Sequence, residues 1–356
     1  MKDSRYRQML SFLGMLAAVF FLTGLAVRGC NYILVDDTKS YTRLMMHEMY
    51  ESEENIDTVF LGSSHCFRAY DPRLFTELTG KTAFNLGSSS QNFDTSYYLL
   101  REAAKYHDIK TVYLDMHYKF LFKEKTDDRD LIQANIISDY MRPSLNKLEF
   151  LTQVSGARHY TNRMLPFRRD WKKIGEISYL QELWEKKQSE AYKTFAPVVN
   201  EEEYYVGKGF VYSEEEMDAS KITWWNKYAS VTEDLKGNAD YTNSYIKRIV
   251  EFCQKNEIRL IFVTAPSFEQ YLDTIAPYDE AYAYIKDMAD EYGVSYWDFN
   301  LCRKECLELG DECFVDVDHL NGKGAQKVTE LLARLDGGQV SVDEYFKPWY
   351  DEESHM

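Results

Sequence analysis

The sequence predicts an α/β domain, a parallel sheet with helices on both faces, carried behind one N-terminal transmembrane helix. Three observations predict it. Short apolar runs alternate with amphipathic stretches at helical spacing, the rhythm of repeated βα units. Several of those runs end in small polar residues, and in parallel sheets ligands gather beyond the carboxyl ends of the strands. Finally, residues 9–27 carry no charge at all.

That uncharged run, at 1.5 Å per residue, reaches roughly 28 Å, close to the hydrocarbon thickness of a bilayer. Lys2, Arg5 and Arg7 precede it, and the positive-inside rule puts that end in the cytoplasm. The expected organisation is therefore a cytoplasmic terminus at 1–8, an anchor at 9–27 and a polar stalk at 28–56, with the rest of the chain extracytoplasmic at the cell membrane. The rival reading is a processed leader. Val27-Arg28-Gly29-Cys30 resembles a lipoprotein cleavage box, but Arg28 stands where a small or apolar residue is usual.

The α/β pattern starts with a strand at Asp57–Leu61, which runs into Gly62-Ser63-Ser64-His65. A second strand, Thr82–Leu86, ends in Gly87-Ser88-Ser89-Ser90-Gln91. Asp94–Tyr106 reads as a helix with Tyr97, Leu100 and Ala104 on one face. Thr111–Leu114 is a third strand, followed by Asp115-Met116-His117-Tyr118. The rhythm then stops. Residues 119–239 are charged and aromatic, include Tyr204-Tyr205-Val206-Gly207-Lys208-Gly209-Phe210 and Trp224-Trp225, and show no strand series. With helical stretches such as Leu180–Lys193, this reads as a large helical insertion or cap, since it is too long for a plain loop.

The pattern resumes with a helix at Tyr241–Asn256, whose Ile246, Ile249, Val250 and Cys253 keep one face apolar. A strand at Ile258–Thr264 leads to Ala265-Pro266-Ser267. A helix at Tyr278–Tyr292 and a strand at Val294–Trp297 follow. A last helix at Gly322–Leu335 has Asn321 as its cap. Residues 57–118 and 240–335 thus make up the α/β domain, and the acidic tail 336–356 is expected to be peripheral.

Composition narrows the partners. The formal charge is −16 and no basic stripe is visible, which argues against nucleic acid, whose phosphates need clustered Lys and Arg. The 28 tyrosines suit sugar stacking as well as core packing. Among the cysteines, Cys302, Cys306 and Cys313 could include a disulfide. No CxxC pair occurs, so neither a structural zinc site nor any other metal is expected.

The chemistry rests on a serine. Its hydroxyl is a weak nucleophile at neutral pH and needs an adjacent base, which in turn needs an orienting acid. Ser64 after the first strand, with His319 and Asp316 near the end of the chain, has the residue types and order for that. Ser63 is an alternative nucleophile, Asp318 an alternative acid, and His65 reads as pocket lining or a structural hydrogen-bonder. Oxyanion donors are sought at the Ser64 amide and in the Gly87–Ser90 turn.

Gly62-Ser63-Ser64, Asn85-Leu86-Gly87-Ser88-Ser89-Ser90 and Asp316-x-x-His319 together resemble the SGNH/GDSL hydrolase superfamily. The likeness is nearer to its membrane-anchored bacterial acyltransferase-like branch, which includes the D-alanine transfer protein of lipoteichoic acid synthesis and the alginate O-acetylation proteins. It covers about residues 57–118 and 240–335. The resemblance implies a flavodoxin-like three-layer fold, with Ser64 as nucleophile, His319 as base and Asp316 as third member. Its second block implies a backbone donor at Gly87 or Ser90. Its third block usually offers an asparagine; here Asp115-Met116-His117-Tyr118 has none, and His117 is either its substitute or a support behind the site. His65, Gln91, Asp115 and Tyr118 are expected around the pocket. No cofactor is implied. The implied reaction is O-acyl transfer, most simply acetyl, to a cell-envelope polysaccharide or teichoic acid, beside a membrane-bound O-acyltransferase. A glycan O-deacetylase or esterase is the alternative, and a non-catalytic polymer-binding or assembly factor the second.

Overall fold

The computed structural model describes residues 2–121, 128–155, 165–200, 203–222, 239–272 and 278–347. Trp224-Trp225 and the last residues of the acidic tail lie outside these. The chain separates into two units, residues 1–39 with 155–196 and residues 40–154 with 197–356.

The larger unit is built on five strands: β1 (Thr58–Leu61), β2 (Ala83–Asn85), β3 (Thr111–Asp115), β7 (Arg259–Thr264) and β8 (Ser295–Asp298). They pair in the order β2-β1-β3-β7-β8, every pair parallel. Counted within this sheet, that is the doubly wound order 2-1-3-4-5, whose ligand crevice opens where the order reverses, between the first and third strands. β1, β2 and β3 are buried along their whole length, as near-continuous apolar strands covered on both faces must be. The core at this point is aromatic: Phe60 stacks on Tyr70 and on Tyr113, with ring centroids 5.4 and 5.2 Å apart, and Phe75 meets it edge-on. Such contacts each add about 0.5–1.5 kcal/mol to the area they bury.

Helices α3 (Ser64–Ala69) and α4 (Pro72–Thr79) pack with the helix Gly322–Asp336, and α5 (Phe93–Ala103) packs with the helix Ala239–Lys255. Asn321 caps Gly322–Asp336, its side chain accepting from the N–H groups of Lys323 and Gly324. At the far end of that helix the Asp336 side chain is buried and accepts from Tyr113 Oη at 2.7 Å and Arg259 Nη1 at 2.9 Å. This end of the expected tail is thus tied into the sheet.

Two segments differ from the sequence reading. Residues 41–51, read as part of a stalk, form α2 (Tyr41–Glu51), with Leu44, Met45, Met46 and Met49 buried. The apolar face is there, but polar neighbours dilute it over a single short helix. The region read as purely helical also holds a three-stranded antiparallel ribbon, β4 (Val199–Asn200), β5 (Glu203–Gly207) and β6 (Phe210–Ser213). Strands this short owe their form to tertiary contacts more than to propensity. The ribbon's turn rides on the exit of β2: Asn85 N–H donates to Lys208 O at 2.9 Å. Gly209 sits there at φ +80°, and a Cβ would lie 1.8 Å from Asn85 O, so only glycine fits.

The smaller unit centres on α1 (Lys2–Leu34). It is long and apolar enough to cross a membrane, with a mean hydropathy of 2.3 in its most apolar window. The turns Pro166–Arg169 and Trp171–Gly175 and the helix Ile177–Gln188 pack against it.

Candidate active site

The serine reaches the sheet edge because β1 stops at Leu61 and the chain turns at once into α3. Gly62 makes this turn: a Cβ there would lie 2.6 Å from Asp115 Cβ and 2.8 Å from Cys66 Cβ. Ser63 is the helix N-cap, and its hydroxyl accepts from His65 N–H, so it is spent on structure. Ser64 is the first helical residue and half-buried.

Ser64 Oγ lies 2.8 Å from His319 Nε2, and His319 Nδ1 lies 3.0 Å from both carboxylate oxygens of Asp316. The last contact comes from a tight antiparallel turn. β9 (Phe314–Asp316) and β10 (His319–Leu320) pair so that Asp316 stands opposite His319. Asp318 N–H donates to Asp316 Oδ1 at 2.8 Å, which fixes the carboxylate's orientation. Burial alone would raise the Asp316 carboxyl, but the His319 hydrogen bond and charge, with His65 and Arg68 nearby, hold it below its ordinary range. A serine, an imidazole and a carboxylate so arranged can activate the hydroxyl for attack on an acyl carbon.

Asp318, the alternative acid, faces elsewhere. Its Oδ1 accepts from Tyr118 Oη at 3.0 Å and Ser267 Oγ at 3.1 Å, and lies 3.0 Å from His65 Nε2; its Oδ2 pairs with the Lys119 ammonium. His65 stacks on His117, centroids 3.6 Å apart, and meets His319 edge-on at 5.1 Å. Burial, then the charges of His319 and Lys119, push the His65 imidazole well below its usual range, so it is neutral at neutral pH. A buried histidine–carboxylate pair therefore stands behind the first. Ligand atoms of His65, His117 and Asp318 lie within 4.8 Å of one another, near enough to share an ion. The Lys119 ammonium already on Asp318 competes with any cation there, so the fit is poor.

The oxyanion candidates divide. Ser64 N–H and Ser90 N–H have no acceptor among the described residues. Ser90 is exposed and holds φ 51°. Gly87, expected as a donor, is not one: its N–H donates to Asn85 Oδ1 at 2.9 Å and is not available. His117 is buried against His65 and lies 3.8 Å from Asp318, a neighbour of the second pair.

The expected pocket residues are supports behind the site. Gln91 is buried and staples its loop, accepting from Ser88 Oγ and donating to Ser96 Oγ. Asp115 is buried under Gly62 and accepts from Ala265 N–H at 3.3 Å; burial, with Asp298 nearby, pushes its carboxyl up to about 7 against that hydrogen bond. Tyr118 is buried with its hydroxyl on Asp318. Sequence reading missed Arg68, one turn beyond Ser64 on α3 and ion-paired with Glu203 of the ribbon. Its spacing of four from Ser64 was visible; its partner, far away in sequence, was not. Cys302, Cys306 and Cys313, which the sequence left open to a disulfide, are free thiols.

No family model matches the chain, and no curated protein matches it. Among solved structures it is similar to a GDSL-like lipase from Bacteroides thetaiotaomicron, at 11% identity and TM-score 0.39 over 85% of this chain and 100% of that one. It is also similar to a candidate acylhydrolase from Bacteroides fragilis, at 12% identity and TM-score 0.37 over 83% of this chain and 94% of that one. A candidate platelet activating factor from Streptococcus pneumonia aligns at 13% identity and TM-score 0.32 over 88% of this chain and 98% of that one. Likeness this remote carries no argument about activity; the fold rests on the sheet order above.

Proposed function

We propose that this chain is a membrane-anchored, SGNH-type serine O-acyltransferase acting on a cell-envelope polysaccharide or teichoic acid. The observation that carries it is the continuous contact Ser64 Oγ–His319 Nε2 and His319 Nδ1–Asp316 at 2.8 and 3.0 Å, at the crevice of a doubly wound sheet. In the first half-reaction Ser64 Oγ attacks the acyl carbonyl of the donor as its proton passes to His319. The tetrahedral adduct collapses, His319 returns the proton to the leaving group, and an acyl ester remains on Ser64. A sugar hydroxyl then gives its proton to His319 and attacks that ester; the adduct collapses, His319 returns the proton to Ser64 Oγ, and the acyl group leaves on the sugar. The Ser64 and Ser90 amides supply the oxyanion contacts; losing one such donor costs about 3–4 kcal/mol.

The α1 helix supports a tether, with Lys2, Arg5 and Arg7 cytoplasmic and the catalytic unit outside. A tethered enzyme suits a substrate held at the surface, and a membrane-bound O-acyltransferase would supply the acyl group. The test is to incubate the full-length chain with an acyl donor and a polysaccharide acceptor. Acylated glycan that vanishes with Ser64→Ala is the expected result.

Hydrolysis is the second reading, and one observation favours it. The His319 and Asp316 side chains are 23% and 44% exposed, which leaves water free to reach the acyl-serine. Free acid alone, with no acylated glycan, would decide for an esterase or deacetylase.

A further inference from the structure

The sequence 166–188 has no place in the chemistry, yet it is unusual in composition and position. Between Pro166 and Gly175 it carries Arg168, Arg169, Lys172 and Lys173 against the single acid Asp170, in a chain of net charge −16. Trp171, Ile174 and Ile177 follow at a spacing of three and are 57%, 62% and 62% exposed; Trp184 is 51% exposed. Large apolar side chains left in water this close together call for a partner.

The way the segment is held indicates which partner. Phe167 N–H donates to Asn31 Oδ1 at 2.9 Å, and Trp184 meets Tyr32 edge-on with centroids 5.7 Å apart. The Lys187 side chain is 2% exposed; its ammonium donates to Tyr32 O and Val35 O and pairs with Asp37 at 3.0 Å. It thereby satisfies carbonyls orphaned at the C-terminal end of α1 and meets the negative end of the helix dipole. The segment is therefore bolted to the last turn of α1. Arg28 is the first charge after the apolar run, so Asn31 lies about 4.5 Å beyond it along the helix. Each headgroup layer is roughly 5–8 Å deep, which puts Asn31 and Tyr32, and whatever docks on them, within that layer.

We propose that residues 166–188 form an interfacial foot. Trp171, Ile174 and Ile177 enter the headgroup–acyl boundary of the leaflet from which α1 emerges, and Arg168 and Lys172, both exposed, meet anionic lipid headgroups. Tryptophan suits this boundary because one part of it is apolar and another donates a hydrogen bond. Basic side chains beside an apolar edge are the composition of membrane-surface segments. The proposal rests on the reading of α1 as a membrane span.

The test uses the full-length chain reconstituted into phosphatidylcholine vesicles, with and without phosphatidylglycerol, and tryptophan quenching by tail-brominated lipid. The expected result is a quenched share of emission that Trp171→Phe removes and that substitution of the buried Trp297 by Phe leaves in place. Phosphatidylglycerol should enlarge that share, and Arg168→Gln with Lys172→Gln should cancel the enlargement. Fractional quenching that is unchanged or increased in Trp171→Phe overturns the foot; an enlargement that survives the double substitution overturns its charged half. Flotation after an alkaline wash separates the two readings. A chain that does not float overturns both the span and the foot, whereas a floating chain with Trp171 unquenched overturns the foot alone.

Discussion

Replacing Asp316 by Asn probes the site where its geometry is most specific. Both carboxylate oxygens lie 3.0 Å from His319 Nδ1, so the carboxylate does two things. It stabilises the imidazolium that forms when Ser64 loses its proton, and it holds the ring with the proton on Nδ1. For charge centres about 4 Å apart, the first effect ranges from about 1 kcal/mol in water to about 4 kcal/mol at an effective dielectric of 20. The Asp316 side chain is 44% exposed, so an intermediate value of about 2–3 kcal/mol applies, or close to two decades of rate. Asparagine removes the charge and can turn its amide N–H toward Nδ1. That moves the ring proton to Nε2, where it faces Ser64 and leaves no acceptor for the serine proton. Asp316→Asn is therefore expected to lower the acylation rate about 10³-fold, and Asp316→Ala, which loses the charge and the Nδ1 hydrogen bond but does not impose the wrong tautomer, about 10²-fold. Pre-steady-state release of p-nitrophenol from its acetate ester by the purified full-length chain measures both. An Asp316→Asn rate within about threefold of the parent would refute the assignment of Asp316 as orienting acid.

Asp318→Asn should behave in the opposite way. It breaks a buried carboxylate–ammonium pair with Lys119, a loss of about 3 kcal/mol, so calorimetry should show a Tm lower by about 6–12 °C while acylation stays within about tenfold; an unchanged Tm would contradict it. Asp115 has a carboxyl raised to about 7, so its protonated form is favoured in the folded state. The stability this gives is complete below the unfolded value near 4 and is lost as pH rises through about 7. Asp115→Asn should flatten the decline of Tm across that window, leaving the smaller slope due to Asp298, whose carboxyl burial raises to about 6; an unaltered slope would contradict the burial argument. Gly209→Ala must pay about 1–2 kcal/mol for a positive φ, and more for the approach to Asn85 O, so urea unfolding should show a clear fall in midpoint.

The parallel sheet was legible because its strands are short apolar runs that end in small polar residues, and its helices keep one apolar face. Tyr278–Tyr292 has the bounds that its periodicity predicts. α2 was not legible as part of the domain, since Met45, Met46 and Met49 sit among polar residues that resemble a linker. The ribbon was not legible either: Tyr205, Phe210 and Val211 are buried where β5 packs on α2 and β6 on α3, segments far away in sequence. In the candidate site, Ser64, His319 and Asp316 were readable from residue type, order and placement after strands. The His65–Asp318 pair and the Arg68–Glu203 pair were not, because each joins segments far apart in the chain with no spacing rule to link them. The Gly87 amide looked available in sequence, and only the fold shows that Asn85 has taken it.

The central claim is that Ser64 carries the acyl group. Peptide mass spectrometry of the full-length chain, acid-quenched within its first turnover on an activated acetyl ester, tests this directly. One acetyl group is expected on the peptide containing Ser64, formed in the parent and absent in Ser64→Ala and in His319→Ala. Acetylation on another residue, or a Ser64→Ala chain that turns over the ester at the parent's rate, would contradict it.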